Sequence, residues 1–282
     1  MEKRNFKKNL NLTVSVVLFN TDVEEVQNVI DELHKLTLNY KLYLIDNSKF
    51  NLINDKLVLN ENVEYIHTGK NLGFGAGHNV AINLAKAISE FHLVLNADVI
   101  FNPDILYNIY NYMVQNNQIG LLAPKIYNLD DTIQYSAKLL PTPMNLIVRR
   151  FLPIKFIQNK LDYNYELKFF NFDKIIEVPY VMGCFMFINT NVFDVVNGFD
   201  ERFFMYPEDI DLTRRIYKKY KTIYYPLVSI KHKHGKGSYK SNKLLYYHVT
   251  SMIKYFNKWG WIFDKERRLI NKNILSQFEL ND

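Results

Sequence analysis

Four short stretches hold side chains able to do chemistry. "FFMYPEDIDLTRR" (203–215) sets three carboxylates, Glu208, Asp209 and Asp211, directly after an aromatic and apolar run. Acids so placed can accept a proton from an attacking hydroxyl, or complement the positive end of a helix. "HLVLNADV" (92–99) ends an apolar run on Asn96 and Asp98. An acid at the end of a buried parallel strand suits a hard divalent cation that bridges a substrate's phosphates, although it can also simply cap a turn. "NLGFGAGHN" (71–79) spaces glycines at 73, 75 and 77 ahead of a helical pattern. Such a loop lets backbone approach a ligand and offers a helix N-terminus to an anion, but its spacing is not the dinucleotide fingerprint. "IKHKHGKGS" (230–238) puts His232 and His234 at alternate positions, which share a face on a strand, with Lys236 and Ser238 following. These polar groups suit a cation or a diphosphate, or a surface turn rich in Lys and Gly.

The elements that must position them are legible from periodicity. "LTVSVVLF" reads as a strand, and "DVEEVQNVIDELHKL" as a helix with Val23, Val26, Val29, Ile30 and Leu33 on one face. "KLYLID" and "VEYIH" read as strands, "AGHNVAINLAKAISE" as a helix and "FHLVLNAD" as a strand. Strands alternating with helices imply an α/β fold with a parallel sheet, whose ligand site lies beyond the strand C-terminal ends. Asn20, Asp46-Asn47-Ser48, the glycine loop and Asn96-Ala97-Asp98 fall at those ends and form a polar rim, a candidate nucleotide site.

Further along, "NPDILYNIYNYMVQNN" reads as a helix with Pro103 near its start, and "IGLLAPKIY" as a strand. Residues 140–174 are Pro-punctuated, basic and aromatic with weak periodicity, as in a lid or a variable insertion. The sheet pattern returns in "VPYVMGCFMFI". A helix then opens after Pro207 and runs through Ile210, Leu212 and Ile216, with Asp211 pointing away from Asp209 as a simple capping acid. The tail from residue 242 reads as two amphipathic helices closing the core; the competing reading is a basic, aromatic face resting on a membrane surface.

Composition sets outer limits. A hydrophobic fraction of 48% over 282 residues is ample for a core, and one cysteine, Cys184, rules out an intramolecular disulfide framework and suits a reducing compartment. The apolar run from Val14 to Phe19 is too short for a signal peptide, and no apolar window approaches the roughly 20 residues of a membrane span. A cytoplasmic location follows. The net charge of +6 fits an acidic partner or a lysine-rich coding bias.

Taken in order, "VSVVLFN", "LIDNS", "NLGFGAGHN", "LNADV", "VPYVMGCFMFI", "NGFDERFFMYPEDIDLTRR" and "IKHKHGKGSYKS" resemble glycosyltransferase family 2, in particular its bacterial polysaccharide rhamnosyltransferase branch. The resemblance covers about residues 12–255 and carries no motif over 140–175. It implies a GT-A fold (a Rossmann-like, mostly parallel sheet flanked by helices) over residues 1–240, with a nucleotide-binding half at about 12–124, an acceptor half at about 125–240 and a helical extension over 241–282. It also implies an inverting transferase with Mg²⁺ or Mn²⁺, a nucleotide-sugar donor, dTDP-rhamnose above all, and a glycan or lipid-linked acceptor. By the family pattern Asn20, Asp46, Asn71, Gly73, Asn79, Asn96 and Asp98 serve the nucleotide-sugar, and Asp98 and His232 the metal. His234, Lys236 and Ser238 would meet the diphosphate or acceptor, and Asp209 beside Glu208 would be the general base. The metal motif reads Asn-Ala-Asp and so lacks a first carboxylate. Two alternatives follow: a UDP-sugar donor (galactose, galactofuranose or N-acetylglucosamine) on the same fold, or a non-catalytic glycan-binding or scaffold relative. Contact with the inner face of the cell membrane fits the lipid-linked acceptor, and no nucleic-acid role is expected.

Overall fold

The computed structural model describes residues 8–148, 154–233 and 242–279. Strand β1 (Leu10–Leu18) separates the two faces of the fold. Its even residues Leu12, Val14, Val16 and Leu18 are fully buried and pack with Val26, Val29, Ile30 and Leu33 of helix α1 (Val23–His34). Asp22 caps that helix by accepting from Glu24 N at 2.9 Å. The odd residues Thr13 and Ser15 are equally buried but polar. Ser15 Oγ meets His78 Nδ1 at 2.7 Å and His92 Nε2 at 2.9 Å, while Thr13 Oγ1 meets His92 Nδ1 at 2.9 Å. Burial keeps both imidazoles neutral, lowering His92 to about 3 and His78 well below its ordinary value.

β2 (Tyr40–Asp46), β3 (Val63–His67), helix α2 (Phe74–Ala85), β4 (Ser89–Leu95), α3 (Asp104–Gln115) and β6 (Ile119–Tyr127) follow in the order the periodicity implied, although β4 starts at Ser89, inside the stretch read as helix, and a short strand β5 (Val99–Ile100) is added. A nine-stranded sheet runs β3-β2-β1-β4-β10-β6-β11-β5, with β10 at Phe185–Asn189 and β11 at Lys221–His232. A ninth strand, β8 (Ile176–Glu177), pairs with β11. The first four strands in this order are parallel, whereas β10 lies antiparallel between β4 and β6. The sheet is therefore mostly parallel but mixed.

Two segments depart from the sequence reading. "VPYVMGCFMFI", where the sheet pattern returns, splits between two sheets: β9 (Tyr180–Val181) pairs with β7 (Ala137–Lys138) in a separate ribbon, and the chain turns at Gly183 before β10. The weakly periodic stretch 140–174 contains a π-helical turn at Met144–Val148 and helix α4 (Lys155–Tyr165). Its buried side includes Asp162 and Tyr165 and is followed by buried Glu166, which pairs with Lys138 at 2.8 Å and Lys168 at 2.9 Å. A buried side built partly from charge has no hydrophobic period to detect.

Helices α5 (Glu208–Tyr217), α6 (Asn242–Trp259) and α7 (Lys265–Glu279) close the opposite face. Tyr255, Phe256, Ile270 and Ile274 join Val94, Leu121, Met186 and Ile188 in one cluster, so the two C-terminal helices share the sheet's core. Arg214 of α5 is buried, makes a bidentate pair with Asp264 at 2.7 and 2.9 Å, and lies 4.1 Å over the Trp259 ring. Among the described residues no helix is long and apolar enough to cross a membrane.

Candidate active site

The ends of β1, β2 and β4 lie on one sheet edge, and β11 adds a side chain to it. Its antiparallel pairing with β5 sets His232 opposite Val99, which carries the imidazole to Asp98. Nε2 of His232 stands 3.3 Å from Asp98 Oδ1. Nδ1 faces Gln134 Oε1 at 2.8 Å, Gln134 Nε2 donates to Asn128 Oδ1 at 2.8 Å, and Asn128 Nδ2 donates to Thr132 Oγ1 at 2.9 Å. This relay turns the Gln134 carbonyl toward His232, so Nδ1 carries a proton and Nε2 is the nitrogen that can exchange its proton for a cation. Burial alone would keep His232 neutral; Cys184 and the Asp98 carboxylate outweigh it and push the imidazole up to about 10. Burial likewise opposes ionisation of Asp98, yet His232 beside it brings that carboxyl below its ordinary value.

The chemistry of this pair fits a divalent cation. Two ligands at adjacent corners of an octahedron with bonds near 2.1 Å lie about 3 Å apart, close to the observed separation. Asn96, whose amide stands 3.5 Å from His232 Nε2, supplies no charge. Among the described residues no group of three or more His, Cys, Asp or Glu side chains could hold a metal. A cation here would take two protein ligands and complete its shell from donor phosphates and water.

The remaining rim residues divide into two sets. Asn20 adopts φ 50° with its N–H donated to Ser48 Oγ at 2.9 Å, and Asn71 accepts from Gly73 N at 2.9 Å; both are exposed at the edge. Asp46 lies beneath it, buried, accepting from Ser48 N at 2.8 Å and from the Tyr65 hydroxyl. Gly73 is required by close packing, since a Cβ there would stand 2.1 Å from the Phe204 carbonyl oxygen and its φ is 85°. Asn79 donates to Phe199 O and to Glu201 Oε1, both at 2.9 Å, and accepts from Phe199 N at 2.8 Å. Gly73 and Asn79 thus fasten the start of helix α2 to the segment leading into α5. His234, Lys236 and Ser238 lie outside the described residues.

That segment delivers the second centre. Tyr206 turns at φ 86°, Pro207 precedes the helix, and Glu208-Asp209 form its first turn. Asp209 Oδ1 accepts from Ile210 N at 2.8 Å; Oδ2 accepts from Gly183 N at 3.1 Å and from Tyr180 Oη at 3.4 Å. Burial pushes this carboxyl up to about 6, and the three donors keep it from rising further. Glu208 is buried, its Oε2 has no partner among the described residues, and burial followed by the Asp209 charge pushes it well above its ordinary value. Burial and mutual repulsion thus resist ionising both carboxyls together. Asp211 proves more than a capping acid: it is fully buried and binds Arg215 at 2.7 Å, the Trp259 indole at 2.8 Å and Lys258 at 2.5 Å. The two centres meet at the turn after β9, where Gly183 N binds Asp209 and the Cys184 carbonyl accepts from Asn96 N at 3.0 Å.

Residues 13–195 match the sequence profile of Glycosyl transferase family 2, well over half of the chain. The chain belongs to glycosyltransferase family 2. A Mycobacterium tuberculosis relative, N-acetylglucosaminyl-diphospho-decaprenol L-rhamnosyltransferase, is 26% identical over 68% of this chain and 66% of its own length, just under two thirds of that protein. Rhamnosyltransferase WbbL of Escherichia coli K12 is 25% identical over 88% of this chain and 91% of its own. Among solved structures, GalNAc-T7 with UDP, GalNAc and Mn²⁺ superposes with a TM-score of 0.58 at 14% identity, over 80% of this chain and 44% of that one. The fold is GT-A.

This family 2 chain also uses site residues that the sequence reading passed over. Gln134 lies in a loop with no period and no motif, and only its distance to His232 reveals it. Tyr180 and Gly183 lie inside the segment where the sheet pattern returns; the glycine within that apolar run was the available sign of a bend.

Proposed function

We propose that this family 2 chain is an inverting glycosyltransferase that moves L-rhamnose from dTDP-rhamnose onto a glycan or lipid-linked acceptor, at the cytoplasmic face of the cell membrane. The observation that carries the reading is the turn at 183–184, which binds the Asp209 carboxylate on one side and, on the other, Asn96, two residues before the Asp98 that pairs with His232. Asp98 and His232 would hold Mg²⁺ or Mn²⁺, whose charge stabilises the departing diphosphate. Asn20, Asn71 and Asn96 would line the nucleotide-sugar pocket, with Asp46, Gly73 and Asn79 supporting it. The acceptor oxygen attacks the anomeric carbon as the bond to the diphosphate breaks on the opposite face. The leaving electron pair stays with dTDP and the hydroxyl proton passes to Asp209. Both relatives named above are rhamnosyltransferases, and the mycobacterial one carries a lipid-linked acceptor in its name, which supports the donor and acceptor classes.

Thermal unfolding against dTDP-rhamnose, dTDP, UDP and UDP-sugars, each with Mg²⁺, Mn²⁺ or EDTA, tests the donor, because a ligand of the folded state raises Tm. A metal-dependent rise with dTDP-rhamnose supports the proposal. A rise confined to UDP compounds replaces the donor, and no rise with any nucleotide returns the chain to a glycan-binding or scaffold role.

A further inference from the structure

At the corner between α6 and α7 three consecutive large apolar side chains stand in water: Trp261 is 38% exposed, Ile262 64% and Phe263 85%. The corner is firmly held. Gly260 turns at φ 100° with its N–H on Phe256 O at 2.8 Å, and the Trp261 ring rests 5.2 Å from Phe256 while its indole donates to Asn257 at 2.8 Å. Arg267 and Arg268 donate to the carbonyls of Trp261 and Ile262 at 3.1 and 3.3 Å, and Asp264 is pinned by buried Arg214. The fold thus presents these side chains in a fixed arrangement where a loose loop could have folded them inward.

Charge surrounds them on one side only. Lys265, Arg268 and Lys272 are exposed on α7, and none pairs with an acid among the described residues. The acids of the corner, Asp264 and Glu266, are turned to Arg214 and Lys218. Beside the corner runs a groove of about 750 Å³ between half-exposed Met144 on one wall and Arg268, Lys272 and Leu275 on the other. Apolar tips with an unmatched basic collar have the chemistry of a segment that lies in a lipid headgroup layer, where the rings enter the acyl boundary and the cations meet phosphates.

We propose that this corner docks on an anionic phospholipid bilayer, with Ile262 and Phe263 inserted and Lys265, Arg268 and Lys272 on the headgroups. The inference builds on the reading of a lipid-linked acceptor and names the surface on which the chain meets it. Vesicles without donor or acceptor test it, so its outcome is separate from that of the transfer reaction. The full chain is expected to sediment with phosphatidylcholine–phosphatidylglycerol vesicles, to bind pure phosphatidylcholine far more weakly, and to show blue-shifted tryptophan emission when bound. Ile262→Ser with Phe263→Ser should weaken binding about tenfold or more. Lys265→Glu with Lys272→Glu should remove its salt sensitivity along with most of the affinity. All four side chains are on the surface, and an unchanged circular dichroism spectrum confirms the fold. Wild-type protein that ignores anionic vesicles, or an apolar variant that binds them unchanged, overturns the proposal. So does a dimer in sedimentation velocity that the apolar variant abolishes, which would make the corner a contact between two copies of this chain.

Discussion

Asp98 and Asp209 are the same residue type, joined through one turn, and their environments drive them in opposite directions. Asp98 ends a loop after a parallel strand with a cationic imidazole beside it, and its carboxyl falls below the ordinary value. Asp209 begins a helix among N–H and O–H donors and beside the Glu208 carboxyl, and burial lifts it to about 6. An ionised acid already matched to positive charge is a poor proton acceptor but a good cation ligand. One lifted toward neutrality is the reverse. The contrast supports the different roles proposed for them, which the residue types alone could not separate.

The strongest way to break this contrast is Asp209→Asn. Transfer should fall by about 10² to 10⁴-fold with the fold intact, as measured by turnover and circular dichroism. The same variant should gain stability above pH 6. An acid raised from 3.8 unfolded to about 6 folded makes the native state bind the extra proton, so stability is lost as pH rises through that window and the asparagine variant escapes the loss. Full activity in Asp209→Asn would end its role as base.

Asp98→Asn should weaken Mn²⁺ binding in the presence of nucleotide by about a hundredfold, read by calorimetry, while leaving the acid limb of the pH profile in place. Gln134→Leu removes only the partner that orients His232. It should weaken the cation about tenfold, with activity restored at high metal concentration. The smallest effect is expected from Tyr180→Phe. In the parent kcat/KM should climb about tenfold per pH unit below 6 and level off above it. Loss of the tyrosine hydroxyl, which holds Asp209 down, should move that limb upward by a fraction of a unit.

How far the sequence reached depends on the physics of each part. The strands and helices up to Tyr127 bury apolar side chains with periods of two or 3.6, and their order, with the polar residues at their ends, could be read directly. Asp98, Asp209 and His232 were found through motifs that place an acid or imidazole at an element's end. The imidazole–amide relay through Gln134 and Asn128 was invisible because it joins residues about a hundred positions apart along the chain. Thr13, Ser15, His78 and His92 were hidden for another reason: they hydrogen-bond one another between sheet and helix α2, where sequence pattern leads one to expect hydrocarbon. Helix α4 escaped because ion pairs take part in burying it.

The Arg214–Asp264 bond has a consequence for how such a chain can be cut or recombined. Arg214 lies five residues beyond Asp209 on the same helix, while its counter-charge comes from the corner that starts α7. A chain shortened before residue 242 would lose Asp264, Glu266 and Trp259 together and lay Arg214 and the apolar cluster beneath those helices open to water. Exchange of the tail with a relative's would succeed only if the incoming segment brought an acid to the same spot. The tail from residue 242 and helix α5 thus have to be exchanged as a unit.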